Sequence, residues 1–136
     1  MFNYDYHYLM TLGILAVAAL YLLALGLAAG CAPQRATRFL GQFAQSAKAH
    51  YTEMALRAAV GLALIVHAEH MRYSEAFVLI GWVITLTTAL LLMVPWRWHQ
   101  AIANRAVPLA LRILPVLALC SVLAGVLLLY SLLSGT

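Results

Sequence analysis

Three histidines could do chemistry together in this chain. His67 and His70 stand at i, i+3 in VHAEHMR, and His7 stands near the N-terminus in DYHYL. On a helix that spacing puts two side chains on one face. Two such imidazoles can ligate a transition-metal ion, and one can ligate a haem or a chlorophyll-type pigment from within a helical bundle. His7, His67 and His70 are therefore the candidate metal ligands, and His67 and His70 the candidate cofactor ligands. Asp5, Glu69 and Glu75 are the acids nearby. Only two of the ligands are fixed by spacing, because nothing in the sequence positions His7. The plainer reading is that these histidines hydrogen-bond to water, lipid headgroups or a neighbouring subunit, and it is preferred.

Other chemistry is harder to find. No acid pair, nucleophile–base arrangement or glycine-rich phosphate loop is visible, which argues against an enzyme acting alone. Cys31 and Cys120 are far apart and share no metal-ligand spacing. Cys120 and Ser121 lie in an apolar stretch with no base beside them.

The elements that must carry these residues are membrane spans. The chain has 136 residues, 65% hydrophobic and 9% charged, whereas a soluble domain is about a quarter charged. Four apolar runs take up most of it, so a single membrane domain, residues 1–136, is expected. The runs lie at about 8–29, 52–71, 75–94 and 108–133, each close to the roughly 20 residues that cross a hydrocarbon core. The expected fold is an all-α integral membrane protein, four transmembrane helices in a bundle. The first run is too long, and its leading segment too acidic, for a signal peptide. LAAGC at 27–31 resembles a lipoprotein cleavage site in the wrong charge context.

Residues 33–51 are too polar to span. Phe39, Phe43 and Ala47 recur at i+4 among Arg35, Arg38 and Lys48, which predicts an amphipathic helix lying in the interface between the first two spans. Pro108 is expected to start the fourth span and Pro115 to kink it.

The second span is the most polar. It carries Glu53 and Arg57 at one end and His67, Glu69, His70 and Arg72 at the other, so the other spans should enclose it. Glu53 and Arg57 read as an i, i+4 ion pair snorkelling to the interface, and Glu69 as a partner of Arg72. At 100° per residue Leu56, Ala59, Ala63, His67 and His70 share a face. Its small residues Ala59 and Ala63 are expected to pack on the Gly81, Thr85 and Ala89 stripe of the third span. Thr87 and Thr88 should bond back to their own helix. Midplane positions read as apolar, Gly, Ala or Thr, which argues against an ion path. A weak repeat, ALR at 55–57 and again at 110–112, is compatible with a duplicated hairpin or with chance.

Charge sets the expected orientation. One side holds Arg35, Arg38, Lys48, Arg57, Arg97, Arg105 and Arg112 against Glu53. The other holds Asp5, Glu69 and Glu75 against Arg72. By the positive-inside rule the basic side is cytoplasmic and both termini lie outside. His50 and His99 then fall on the inner side, separated from His67 and His70 by a bilayer core of roughly 30 Å. Basic residues confined to short loops indicate topology, not nucleic-acid binding.

Arg57 and Gly61 form R-x-x-x-G, followed by Gly81 early in the next span and Pro95 at its end. That pattern resembles uncharacterised small bacterial four-helix inner-membrane proteins over about residues 55–133. The resemblance implies an inner-membrane location and four spans, and no activity. With membrane lipids and other transmembrane subunits as expected partners, the expected role is that of a non-catalytic accessory subunit in a larger complex, such as one of respiratory or photosynthetic electron transfer. The alternative is a haem- or metal-binding module built on the outer histidines.

Overall fold

In the computed structural model, residues 5–42 and 46–135 are described, apart from the side chains of Leu40 and Val107. Every element among them is helical: α1 Tyr6–Cys31, α2 Pro33–Gly41, α3 Ala47–His67, α4 Ser74–Met93, α5 Trp96–Arg112 and α6 Leu114–Ser134. Four helical stretches are long and apolar enough to cross a membrane: α1, α3 with its extension to His70, α4 and α6. Cys31, Ala47, Met93 and Leu114 lie at one end, which also carries α2 and α5 and is called the basic end below.

The helix limits have local causes. Ser46 caps α3, its hydroxyl accepting from the Ala49 amide at 3.1 Å. The chain then stays helical through the stretch expected to end an interfacial segment. That segment is accordingly shorter than expected: α2 stops at Gly41, Phe43 lies outside the described residues, and Ala47 belongs to α3. A second correction concerns the prolines. Pro108 lies inside α5, and the break falls at Ile113. Pro115 stands at the start of α6, where no backbone N–H is needed, and so it begins that helix instead of kinking it. The stretch 96–112, for which no helix was expected before Pro108, is a second amphipathic helix. It contacts α2 at the basic end.

The four long apolar helices neighbour one another in the order α6, α1, α3, α4. Glycines set the two closest crossings. A Cβ on Gly81 would lie 2.8 Å from the Gly61 carbonyl oxygen, and one on Gly61 would lie 2.5 Å from Thr85 Oγ1. Between α1 and α6, a Cβ on Gly26 would lie 2.8 Å from the Ala118 oxygen, and one on Gly125 3.0 Å from the Ala19 oxygen. Ser121 adds a hydrogen bond there, donating to the Leu22 carbonyl at 2.7 Å. Small residues let backbones approach, which lengthens the line of van der Waals contact.

The main core lies in the half away from the basic end. It joins Leu15 and Ala19 of α1, Ala63 and Leu64 of α3, Phe77 of α4 and Leu128 of α6, with Ala68 and Met71. The α3–α4 turn closes that end, where the Arg72 amide donates to the Ser131 carbonyl at 3.3 Å. Tyr73 supplies the reversal with φ 63°, a left-handed conformation that costs about 1 kcal/mol in a residue with a Cβ. A small second core at the basic end joins Ala29, Ala36, Leu114 and Ala118.

Gly81→Ala should destabilise the protein by roughly 1–3 kcal/mol, because its Cβ meets backbone. A Cβ on Gly13 would have nothing within 4 Å, so Gly13→Ala should be neutral or slightly stabilising. Reversible unfolding in mixed micelles measures both. Equal effects would remove the crossing as a constraint.

Candidate functional site

Two polar clusters lie at opposite ends of α3. The first collects the histidines singled out by spacing. His67 closes α3, and Ala68–His70 tightens into a 3-10 turn. Tyr8 of α1 lies against both imidazoles, with ring centroids 4.9 Å from His67 and 5.0 Å from His70. The two imidazoles are themselves 5.5 Å apart. His67 is buried, and its Nδ1 lies 2.9 Å from Thr11 Oγ1. That hydroxyl also lies 2.8 Å from the His7 carbonyl. A helical threonine usually gives its proton to such a carbonyl. His67 Nδ1 then donates to Thr11, and Nε2 carries the lone pair.

His7 does not join this group through its ring. It is exposed on the first turn of α1 and contributes its carbonyl oxygen. Among the described residues no three His, Cys, Asp or Glu side chains are placed to hold a metal ion together. Glu69 does not pair with Arg72 as expected. Its carboxylate lies 3.3 Å from His70 Nε2, and Arg72 lies over the rings of Tyr73 and Tyr130 at 5.8 and 5.9 Å. The reason is the 3-10 turn and the reversal after it, which abolish the helical i+3 spacing.

The second cluster lies toward the basic end, and only its Glu53–Arg57 pair was readable from sequence spacing. Arg57 has ten residues of α3 on either side, so it stands at the middle of this helix, not at its end. Its side chain runs back toward the N-terminus, as helical side chains do. There Nη2 donates to Thr87 Oγ1 at 3.1 Å and Nε to Thr88 Oγ1 at 3.3 Å, both on α4. The two hydroxyls donate in turn to their own helix, Thr87 to Val83 at 2.7 Å and Thr88 to Ile84 at 2.6 Å. This leaves their lone pairs for the guanidinium. Glu53 Oε1 lies 3.9 Å from Arg57 Nη1, and Oε2 lies 3.7 Å from His99 Nε2 on α5. His99 stacks near His50, with centroids 4.6 Å apart. His50 is 1% exposed, and neither of its ring nitrogens has a partner among the described residues.

The cluster therefore links α3, α4 and α5 through one acid, one guanidinium, two imidazoles and two hydroxyls. Neither apolar core includes His50, Met54 or Thr88, the residues buried in this part of α3 and α4. Polar contacts replace an apolar core here. The available signal was that Glu53, Arg57 and the two threonines all lie toward the same ends of adjacent spans. Placing the start of α3 at Thr52 hid it, by putting Arg57 within the first two turns of the helix instead of at its middle.

The packing residues are also rearranged. Gly81 meets Gly61, and Thr85 lies at the same contact. Ala63 is buried in the main core with Leu15 and Ala19, whereas Ala59 is half-buried and Ala89 is exposed. Two residues along a helix turn about 200°. The face through Ala63 and His67 is accordingly turned to α1, and the opposite face through Arg57, Gly61 and Ile65 is turned to α4. α3 is thus flanked by α1 and α4, but Leu56, Leu62 and Val66 stay exposed, so it is not enclosed on all sides.

No protein-family model matches the chain, and no curated protein or solved structure matches it either.

Arg57→Leu should cost about 1 kcal/mol, since it removes two charge-assisted hydrogen bonds from a group that is partly solvated. Arg57→Lys should recover little, because an ammonium cannot span both hydroxyls as a guanidinium fork does. Unfolding in micelles measures both, and a silent Arg57→Leu would reduce the network to a surface ion pair.

Proposed function

We propose that this chain is a non-catalytic accessory subunit of a larger membrane complex, packing against other transmembrane segments. One observation carries the reading. α4 is an edge helix, with α3 its only extensive neighbour along the span among the described residues. Leu79, Val83, Leu86 and Leu90 are 53 to 66% exposed and recur at i, i+4, i+7 and i+11 along its uncovered side. Trp82 stands beside them. The described chain keeps little mass outside the spans, so such a face has no other evident use than to meet lipid or another helix.

The bacterial inner membrane is the proposed location, with the basic end in the cytoplasm and both termini outside. A respiratory or photosynthetic electron-transfer assembly is the class of host that a small, purely helical subunit suits. The alternative, a haem or metal module at His67 and His70, is favoured by one feature, the packing of both imidazoles on Tyr8.

Purification from native membranes in mild detergent should recover this chain with at least one other transmembrane chain at fixed stoichiometry. Val83→Trp with Leu86→Trp should lower that recovery tenfold or more and leave the helical content intact. A cysteine at Ser134 should label from outside intact cells. A lone chain that shows a Soret band or stoichiometric metal, lost in His67→Ala with His70→Ala, would replace the accessory reading by the alternative.

A further inference from the structure

The basic end holds a groove between α2 and the α5–α6 junction. Its volume is about 540 Å³, and it is lined by Pro33, Gln34, Thr37, Arg38, Leu111 and Leu114. The two walls differ in kind. On α2, Gln34, Thr37 and Arg38 share a face by i, i+3 and i+4 spacing. Opposite them Leu111 lies in the last turn of α5 and Leu114 begins α6. Ala36 fixes the wall in place, because it is buried against Ala29, Leu114 and Ala118. The groove is thus a consequence of how α2 docks, and it does not depend on the conformation of one side chain.

We propose that this groove seats an anionic phospholipid, with its phosphate at Arg38 and Gln34 and an acyl chain along Leu111 and Leu114. The assignment rests on the membrane reading of the chain, and charge complementarity selects the occupant. α2 and α5 contain no acid, and Arg35, Arg38, Arg97, Arg105 and Arg112 all lie on these two helices. Arg38 is exposed and has no ion-pair partner among the described residues. Thr37 contributes bulk and polarity, but its proton is committed to the Pro33 carbonyl at 2.8 Å. The donors left for a phosphate are Arg38 and Gln34. A guanidinium binds phosphate in a two-point fork, which holds a diester headgroup better than it holds a water shell. α5 extends the same interface. Trp98, Ile102 and Leu109 form an exposed apolar stripe beside Arg97, Arg105 and Arg112.

Native mass spectrometry of the purified full chain with added phosphatidylglycerol tests this. Phosphatidylcholine and soluble glycerol 3-phosphate are the comparison probes. The wild type should bind phosphatidylglycerol at least fivefold more tightly than phosphatidylcholine, and glycerol 3-phosphate should not bind measurably. Arg38→Gln should weaken phosphatidylglycerol about fivefold, because it removes the charge-assisted hydrogen bonds to the phosphate and not only a surface charge. Arg35→Gln removes the same charge off the groove wall and should weaken it less than twofold. Leu111→Trp keeps every arginine but narrows the groove at its apolar wall, so it keeps the test decisive if Arg38→Gln fails to fold, and it too should lower phosphatidylglycerol binding. Equal loss in Arg38→Gln and Arg35→Gln, no preference over phosphatidylcholine, or binding of glycerol 3-phosphate alone would overturn the site. Release of the chain from membranes by alkaline carbonate would overturn the membrane reading itself, whereas retention without lipid preference would overturn only the groove.

Discussion

The approach of α3 to α4 at Gly61 and Gly81 is the constraint on which the rest depends. A side chain at either position would meet backbone or the Thr85 hydroxyl within 3.2 Å. On the membrane reading proposed above, helices gain little from burying apolar surface against each other, because lipid tails are equally apolar. Close packing and hydrogen bonds have to hold them instead. The glycine crossing supplies the first and, by fixing the interhelical distance, permits the second. Arg57 reaches Thr87 and Thr88 only because α4 stands this near.

The polar cluster follows from that geometry. A guanidinium at the middle of an apolar helix is costly unless something takes its hydrogen bonds. Here Glu53 balances its charge, and two threonine hydroxyls accept from it. Glu53 also faces His99, which ties the amphipathic α5 to α3. The apolar core sits in the other half of the molecule. Different contacts thus dominate the two halves: close apolar packing among α1, α3, α4 and α6 in one, and charge-assisted contacts among α3, α4 and α5 in the other. At the basic end, Ala29, Ala36, Leu114 and Ala118 hold α1, α2 and α6 together.

The four apolar helices were legible in the sequence, because long hydrophobic runs admit few alternatives. Their limits were less so. Ser46 and Pro115 mark real helix starts, but Thr52 and Pro108 carry similar local signals. The five-residue error at α3 had the larger consequence, since it put Arg57 near the start of the helix, with Glu53 as its one expected partner, instead of at its middle beside the α4 threonines. α5 was missed because its apolar residues Trp98, Ile102 and Leu109 are sparse among arginines and polar groups. The grouping of His67 with His70 was legible, because it is local in sequence. The pairing of His50 with His99 spans two helices that only the tertiary fold brings together. Gly61 was singled out only as part of the R-x-x-x-G pattern, and its packing role was hidden for a similar reason. The Ala59 and Ala63 stripe identifies a helix face that can pack, but Gly61 lies about 200° round the helix from Ala63, and only the neighbours decide which side meets α4.

The dependence of the polar cluster on the glycine crossing can be measured directly. A double-mutant cycle of Arg57→Leu and Thr88→Val, followed by unfolding in mixed micelles, gives their coupling energy. It should be about 1 kcal/mol with Gly81 present and should fall to near zero in a Gly81→Ala background. A coupling that survives Gly81→Ala unchanged would contradict the account, because the arginine would then reach α4 without the close approach.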